Sequence, residues 1–280
     1  MIYGGIEAGG TKFVCAVADD QGRIQARTQF PTQAPQPTIS QAVDFFRAFP
    51  DLAAVGIASF GPISLAEGRI TSTPKPGWQN FAIVDAVKTA LKVPVAFDTD
   101  VNAAAVGEGK WGAAQSLDTF LYLTVGTGIG GGAVVGGRVI HGLHHPEMGH
   151  IRIPHQGAFR GVCPYHEDCL EGLASGKAIE LRFKGAEPPD DYWDEEARLL
   201  ALGLVNWICT LSPQLIIMGG GVMKKEGLFP KIRSNVAQLI NNYVPIPEIV
   251  PPNLRDDAGV LGAVAQALPV AFDTQRIHTP

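Results

Sequence analysis

Two apolar runs joined by a glycine-rich turn open the chain, and the same arrangement returns well down its length. The first is "IYGGIEAGGTKFVCAV" and the second "TFLYLTVGTGIGGGAVVGG". The flanking runs are short, apolar and rich in β-branched or aromatic residues, which reads as strand. A third strand follows each pair, in "DDQGRIQARTQF" and in "GGRVIHG". The Gly4–Gly9 spacing starts a Walker loop, but Gly10-Thr11-Lys12 and another strand come next. That loop and the dinucleotide-binding turn both lead into a helix whose N-terminus receives phosphate. Both readings therefore fail, although "GTGIGG" passes a loose G-x-G-x-x-G filter. A hairpin turn can still present consecutive backbone N–H groups as an anion nest. Thr11 and Thr127 would add hydroxyls and Lys12 a charge. Either turn alone reads as an ordinary hairpin using glycine for positive φ. The pair points to nucleotide, held by Gly9, Gly10, Thr11, Lys12, Gly126, Thr127 and Gly128.

Between and after the turns, strands alternate with helical patterns. "TISQAVDFFRAFP" has helical spacing in Ile39, Val43, Phe46 and Phe49, with Pro50 as a stop. "AAVGIASFG" and "VPVAFDTD" read as buried strands, "FAIVDAVKTALK" and "VNAAAVGEGKWG" as helices. Such alternation predicts an α/β protein. We expect two related halves, residues 1–110 and 111–258, with a C-terminal helix at about 259–280 rejoining the first. The strand "PQLIIM" runs into Gly219-Gly220-Gly221, where an adenosine could lie on backbone or a helix could simply begin.

Of the 280 residues 46% are hydrophobic and 18% charged, and the net charge is −5. That composition is globular, and the acidic balance argues against nucleic acid, whose binding depends on neutralising phosphates with Lys and Arg. No apolar run approaches the roughly 20 residues of a membrane span. No secretory signal pattern opens the chain, so the cytoplasm is the expected compartment. An acidic enzyme can bind an anionic nucleotide through backbone amides and a metal.

"EMGHIRIPHQGAFRGVCPYHEDCLEG" concentrates His150, His155, Cys163, His166 and Cys169. Cys163-x2-His166-x2-Cys169 is dense enough in soft and borderline ligands to imply zinc, with either His150 or His155 as the fourth ligand. A site filled by four protein ligands is structural rather than catalytic. In "AFDTDVNAAAVGE", Asp98 and Asp100 end a strand directly before an Ala-rich helix, where an Asp commonly caps. Capping explains one of the two.

"GGIEAGGTK", "TDVNAAAVGE", "VGTGIGGG", "HPEMGHI" and the Cys-containing segment together resemble the ROK family of repressors, open reading frames and sugar kinases, from residue 2 to about 265. Within it the chain is most similar to the bacterial fructokinase branch. The resemblance implies a two-domain actin/hexokinase-like (ribonuclease H-like) fold, with mixed sheets flanked by helices and an interdomain cleft. It implies ATP as co-substrate, Mg2+, a hexose and a homodimer. It makes Asp100 the general base and leaves Asp98 as a cap. It adds Asn102, Glu147, Gly61 and Pro62 as substrate contacts and Gly219, Gly220 and Gly221 as nucleotide contacts. It selects His150 over His155 for zinc and gives Glu7, where the family has Asp, a water-mediated hold on Mg2+. Through His150 the zinc would fix Glu147, so chelation is expected to weaken sugar binding more than ATP binding. Thr99 stands where the family has Asn, and Lys75 and Pro76 where glucokinase-like relatives carry a sugar-contacting Asn. D-fructose is the expected substrate. The rivals are a glucokinase, mannokinase or N-acetylmannosamine kinase of the family, and a sugar-sensing regulator, which would need a helix-turn-helix segment ahead of the first turn.

Overall fold

The computed structural model describes residues 1–155, 157–268 and 277–278. In chain order the strands are β1 (Ile2–Ala8), β2 (Lys12–Asp19), β3 (Ile24–Pro31), β4 (Leu52–Ser59), the short β5 (Ile63–Ser64) and β6 (Arg69–Ile70), β7 (Val95–Thr99), β8 (Phe120–Val125), β9 (Ile129–Val135), β10 (Arg138–Val139), β11 (Leu215–Gly219), β12 (Glu248–Val250) and β13 (Ile277–His278). The helices are α1 (Pro35–Arg47), α2 (Ile83–Leu91), α3 (Asp100–Trp111), α4 (Leu170–Ala174), α5 (Gly176–Arg182), α6 (Tyr192–Leu211), α7 (Leu228–Ile240) and α8 (Ala258–Gln266).

Two compact units result. One holds residues 1–118, 136–146 and 253 onward, the other 119–135 and 147–252. The first crossing thus follows the turn after α3 rather than residue 110, and the hairpin tip 136–146 groups with the first unit. The helix expected at about 259–280 ends at Gln266. The expected range runs on through Ile277–His278, which pair antiparallel with β7, and through 269–276 and 279–280, which lie outside the described residues.

In the first unit the sheet order is β13-β7-β4-β1-β2-β3. β1 is antiparallel to β2 and parallel to β4, which is parallel to β7. Alternation along β2 sends Phe13, Cys15 and Val17 into a core with Ile39, Val43 and Phe46 of α1 and Ile83, Val84 and Val87 of α2. Val14 and Ala16 face the other way, against Val260 of α8. Helices therefore cover both faces. α8 lies close because its partners are small: a methyl on Gly56 would meet the Ala263 backbone and one on Gly262 the Ala103 carbonyl. The same need explains why Val101–Gly109 of α3, rich in Ala and Gly, are all buried.

Glu108, near the end of α3, is fully buried. Its carboxylate accepts from the backbone amides of Ala113 (2.6 Å), Leu254 (2.8 Å) and Asn253 (3.2 Å). Three N–H groups satisfy the charge in place of a cation, and they fasten the chain just after α3 to the chain just before α8.

The second unit carries β9-β8-β11-β12, with β8 antiparallel to β9 and parallel to β11, and β11 parallel to β12. This repeats the order and senses of β2-β1-β4-β7. Each opening hairpin turns in the same span, between Ala8 and Lys12 and between Val125 and Ile129. The glycine triplet, which begins with the last residue of β11, enters a single 3-10 turn, Val222–Lys224, and α7 starts only at Leu228.

Candidate functional site

The first turn is closed by Gly9 N–H donating to the Lys12 carbonyl at 3.0 Å, and Thr32 Oγ1 donates to the Gly9 carbonyl at 2.7 Å. None of Gly9, Gly10, Gly126 and Gly128 has positive φ, so the turn conformation itself does not demand glycine. A Cβ on Gly10 or on Gly126 would meet nothing within 4 Å. Both turns thus present bare backbone to open space, the surface a phosphate needs. The Lys75 ammonium donates to the Gly10 carbonyl, which puts Lys75 at this turn rather than among isolated loop residues. Its pairing lies outside any local sequence pattern.

Glu7 is the penultimate residue of β1, just before the turn. Burial, with Asp100 next, pushes its carboxyl up to about 7, against the pull of Lys12 and Arg27. Its Oε2 is buried with no hydrogen-bond partner. An orphaned carboxylate oxygen in the field of a second carboxylate is a donor set suited to a hard, water-bearing cation such as Mg2+.

α3 begins at Asp100, whose Oδ1 accepts from the Val101 amide at 2.9 Å. The helix is capped by Thr99, not Asp98: Thr99 Oγ1 accepts from Asn102 N–H at 3.2 Å. A hydroxyl at the Ncap does this as well as a carboxylate, and this corrects the assignment of Asp98. Asp98 is 2% exposed and accepts from Thr99 N–H (2.7 Å), Asn102 Nδ2 (2.8 Å) and His141 Nε2 (2.8 Å). An ionised carboxylate only accepts, which assigns the shared proton to His141 Nε2. Asn102 is itself buried, and its Oδ1 has no partner. Gly61-Pro62 is a cis peptide. The Pro62 carbonyl accepts from Thr71, and buried His145 accepts from the Ile63 amide through Nε2 at 3.1 Å. No local sequence pattern gives His141 or His145 a role, because only the fold brings them to Asp98 and Ile63.

In the second unit, Gly126 N–H donates to the Gly128 carbonyl at 2.9 Å. The first amides of α5, those of Gly176 and Lys177, donate to the carbonyls of Gly126 (2.7 Å) and Thr127 (3.2 Å). Gly220 has φ of 96° and packs on the Val125 backbone, so the middle of the triplet requires glycine for structure. Gly221 has open space where a Cβ would stand.

His150, Cys163, His166 and Cys169 offer ligand atoms that all lie within 4.8 Å of one another. His150 Nδ1 lies 3.2 Å from His166 Nδ1, 3.5 Å from Cys163 Sγ and 3.6 Å from Cys169 Sγ. A tetrahedron with Zn–N near 2.0–2.1 Å and Zn–S near 2.3 Å has edges of roughly 3.3–3.8 Å. The donors fit that metal. His155 turns away, its Nε2 2.6 Å from the Phe159 carbonyl. Burial pushes the Cys169 thiol up to about 11, against the Gly172 amide, so a thiolate here calls for a cation. His150 Nε2 faces two carboxylates, Glu171 Oε1 at 3.8 Å and Glu147 Oε2 at 4.0 Å. Sequence reasoning misses Glu171, which belongs to no metal-ligand spacing.

The sequence matches the ROK family over residues 3–269. The fructokinase of Zymomonas mobilis is 44% identical over 292 aligned residues, covering 95% of this chain and 96% of its own. That of Streptococcus mutans is 40% identical, covering 96% and 98%. The fold is similar to the ROK hexokinase of Thermus thermophilus, with a TM-score of 0.82 at 30% identity over 95% of this chain and 98% of that one. A ROK glucokinase from Streptomyces griseus, solved with glucose and AMPPNP, also gives 0.82, at 27% identity over 95% and 99%. No described helix is long and apolar enough to cross a membrane.

Proposed function

Because the chain belongs to the ROK family and has its actin/hexokinase-like fold, we propose a catalytic assignment for each site residue of a sugar phosphotransferase. The chain is an ATP-dependent hexose kinase of fructokinase type, making D-fructose 6-phosphate and ADP from D-fructose and ATP. Asp100 is the general base. In phosphoryl transfer the protein mainly positions groups and stabilises charge. The 6-hydroxyl becomes acidic as its oxygen bonds to phosphorus, so an ordinary carboxylate can take the proton late. Asp100 lies in the first turn of α3, where the helix dipole favours a negative charge.

The backbone of Gly9, Gly10 and Thr11, and that of Gly126, Thr127 and Gly128, binds phosphate oxygens. Lys12 and Lys75 add positive charge to the first turn, and Gly219, Gly220 and Gly221 carry the nucleoside. Glu7 would hold Mg2+ through water, and the bound ion would neutralise phosphate charge. Asn102, Glu147, Gly61 and Pro62 contact sugar. Buried, partnerless Asn102 Oδ1 supports the first of these. His150, Cys163, His166 and Cys169 would hold a structural zinc that fixes the loop bearing Glu147. A homodimer and a cytoplasmic location complete the proposal.

The observation that carries the catalytic assignment is buried Glu7, its carboxyl raised by burial and then by the charge of Asp100, just before a bare glycine turn. An ADP-release assay over fructose, mannose, glucose and N-acetylmannosamine tests the substrate. A kcat/KM for fructose below that for glucose or mannose would overturn that choice.

A further inference from the structure

Glu171 follows the last cluster cysteine by two residues and lies in the first turn of the short helix α4. It is partly buried, and its two oxygens do different work. Oε2 accepts from the backbone amide of Ile129 at 2.8 Å. Oε1 stands 3.8 Å from His150 Nε2. Ile129 is the first residue of β9, directly after the Gly126–Gly128 turn. The loop bearing His150 meets the same residue a second time: a methyl on Gly149 would land on the Ile129 carbonyl. A methyl on Gly128 would in turn strike Glu171 Oε2. Ile129 is thus held at its N–H by Glu171, and its carbonyl packs closely against Gly149 of the His150 loop.

When Nδ1 of His150 is a metal ligand, its Nε2 carries the proton and points at carboxylate oxygen, the arrangement that orients metal-bound histidines. We infer that Glu171 is a positioning residue for nucleotide binding, joining the Cys/His cluster to the Ile129 amide and so fixing the Gly126–Gly128 turn. This rests on the reading of that turn as a phosphate site. It adds nucleotide affinity to what the metal controls, beside the sugar effect expected through Glu147.

The test is calorimetric titration with AMP-PNP of the full chain, zinc-loaded and zinc-depleted, with metal content measured by mass spectrometry. In the unsubstituted protein, depletion is expected to raise the Kd for AMP-PNP about tenfold. Glu171→Gln keeps an acceptor for the Ile129 amide but loses its charge toward His150. Its Kd is expected to be the same, loaded or depleted, as a broken coupling requires. Zinc-loaded Glu171→Ala, with unchanged circular dichroism, is expected to bind AMP-PNP about tenfold more weakly, and it carries the test where depleted protein does not hold its fold. Gly126→Ala puts a methyl into the open face of the turn and should abolish AMP-PNP binding. If it binds normally, the phosphate reading falls and the inference with it. If Gly126→Ala fails to bind while Glu171→Gln responds to depletion like the unsubstituted protein, or Glu171→Ala loses only fructose affinity, the inference alone is overturned.

Discussion

Asp98 Oδ2 stands 2.8 Å from His141 Nε2, while its Oδ1 takes the Asn102 amide at 2.8 Å. One buried carboxylate therefore ties a sequence-distant histidine to the first turn of the helix that begins with Asp100. Asp98→Ala would leave three donors without their acceptor, and we expect a loss of roughly 2–4 kcal/mol in urea unfolding. Asp98→Asn, which keeps one acceptor oxygen, should lose less. Equal stability of both variants with the unsubstituted chain would remove the structural role.

Asp100→Asn should lower kcat for fructose by about a hundred- to ten-thousand-fold, the range for a missing general base. Asn can still accept from the Val101 amide, so the melting temperature should hold. Turnover within a few-fold of the unsubstituted enzyme would take Asp100 out of the mechanism.

Glu7 provides a pH test. Its folded carboxyl is pushed up from 4.5 to about 7 by burial first and Asp100 second. Metal-free protein should therefore lose stability as pH rises from 4.5 through about 7, because the folded state then binds more protons than the unfolded one. Mg2+ requires the carboxylate, so its binding should weaken below about pH 7 and release a proton there. Titration of Mg2+ in two buffers of different ionisation enthalpy would show that proton, and no release at pH 6 would contradict the assignment.

Glu196 is fully buried and receives the Tyr192 hydroxyl at 2.8 Å, yet burial still pushes it up to about 8. Its favourable protonated form is lost as pH rises through about 8. Glu196→Gln should raise stability at pH 9 by roughly 1–3 kcal/mol and leave it near unchanged at pH 5. Thermal melts at the two pH values measure the difference.

Cys163→Ser and Cys169→Ser should each abolish the one bound zinc expected per chain and lower the melting temperature, since closed four-ligand sites contribute directly to folding. Elemental analysis of the purified variants checks this. Retention of stoichiometric zinc in both would exclude the cluster as its site.

The sequence reveals what depends on near neighbours. Strand–glycine–strand hairpins follow from alternating apolar residues around Gly9 and Gly126, and Cys163, His166 and Cys169 fall together by spacing alone. Pairings across the fold leave no such trace. His141 with Asp98, Lys75 with the Gly10 carbonyl and Glu171 with the Ile129 amide join residues far apart in the chain. Thr99 as the cap is open to view, but Asp outranks Thr at that position by propensity, and the burial of Asp98 decides otherwise. The end of α8 escapes the sequence because "LGAVAQALPVAF" stays apolar past Gln266, and apolar content alone does not mark a stop before Pro269.

The buried Glu108 has a consequence for deuterium uptake. The amides of Ala113, Asn253 and Leu254 lie outside regular helix or strand, in stretches that would ordinarily exchange within seconds. Held by a carboxylate sealed from water, they should instead stay protonated about as long as those of the central strands. Glu108→Gln should release them first.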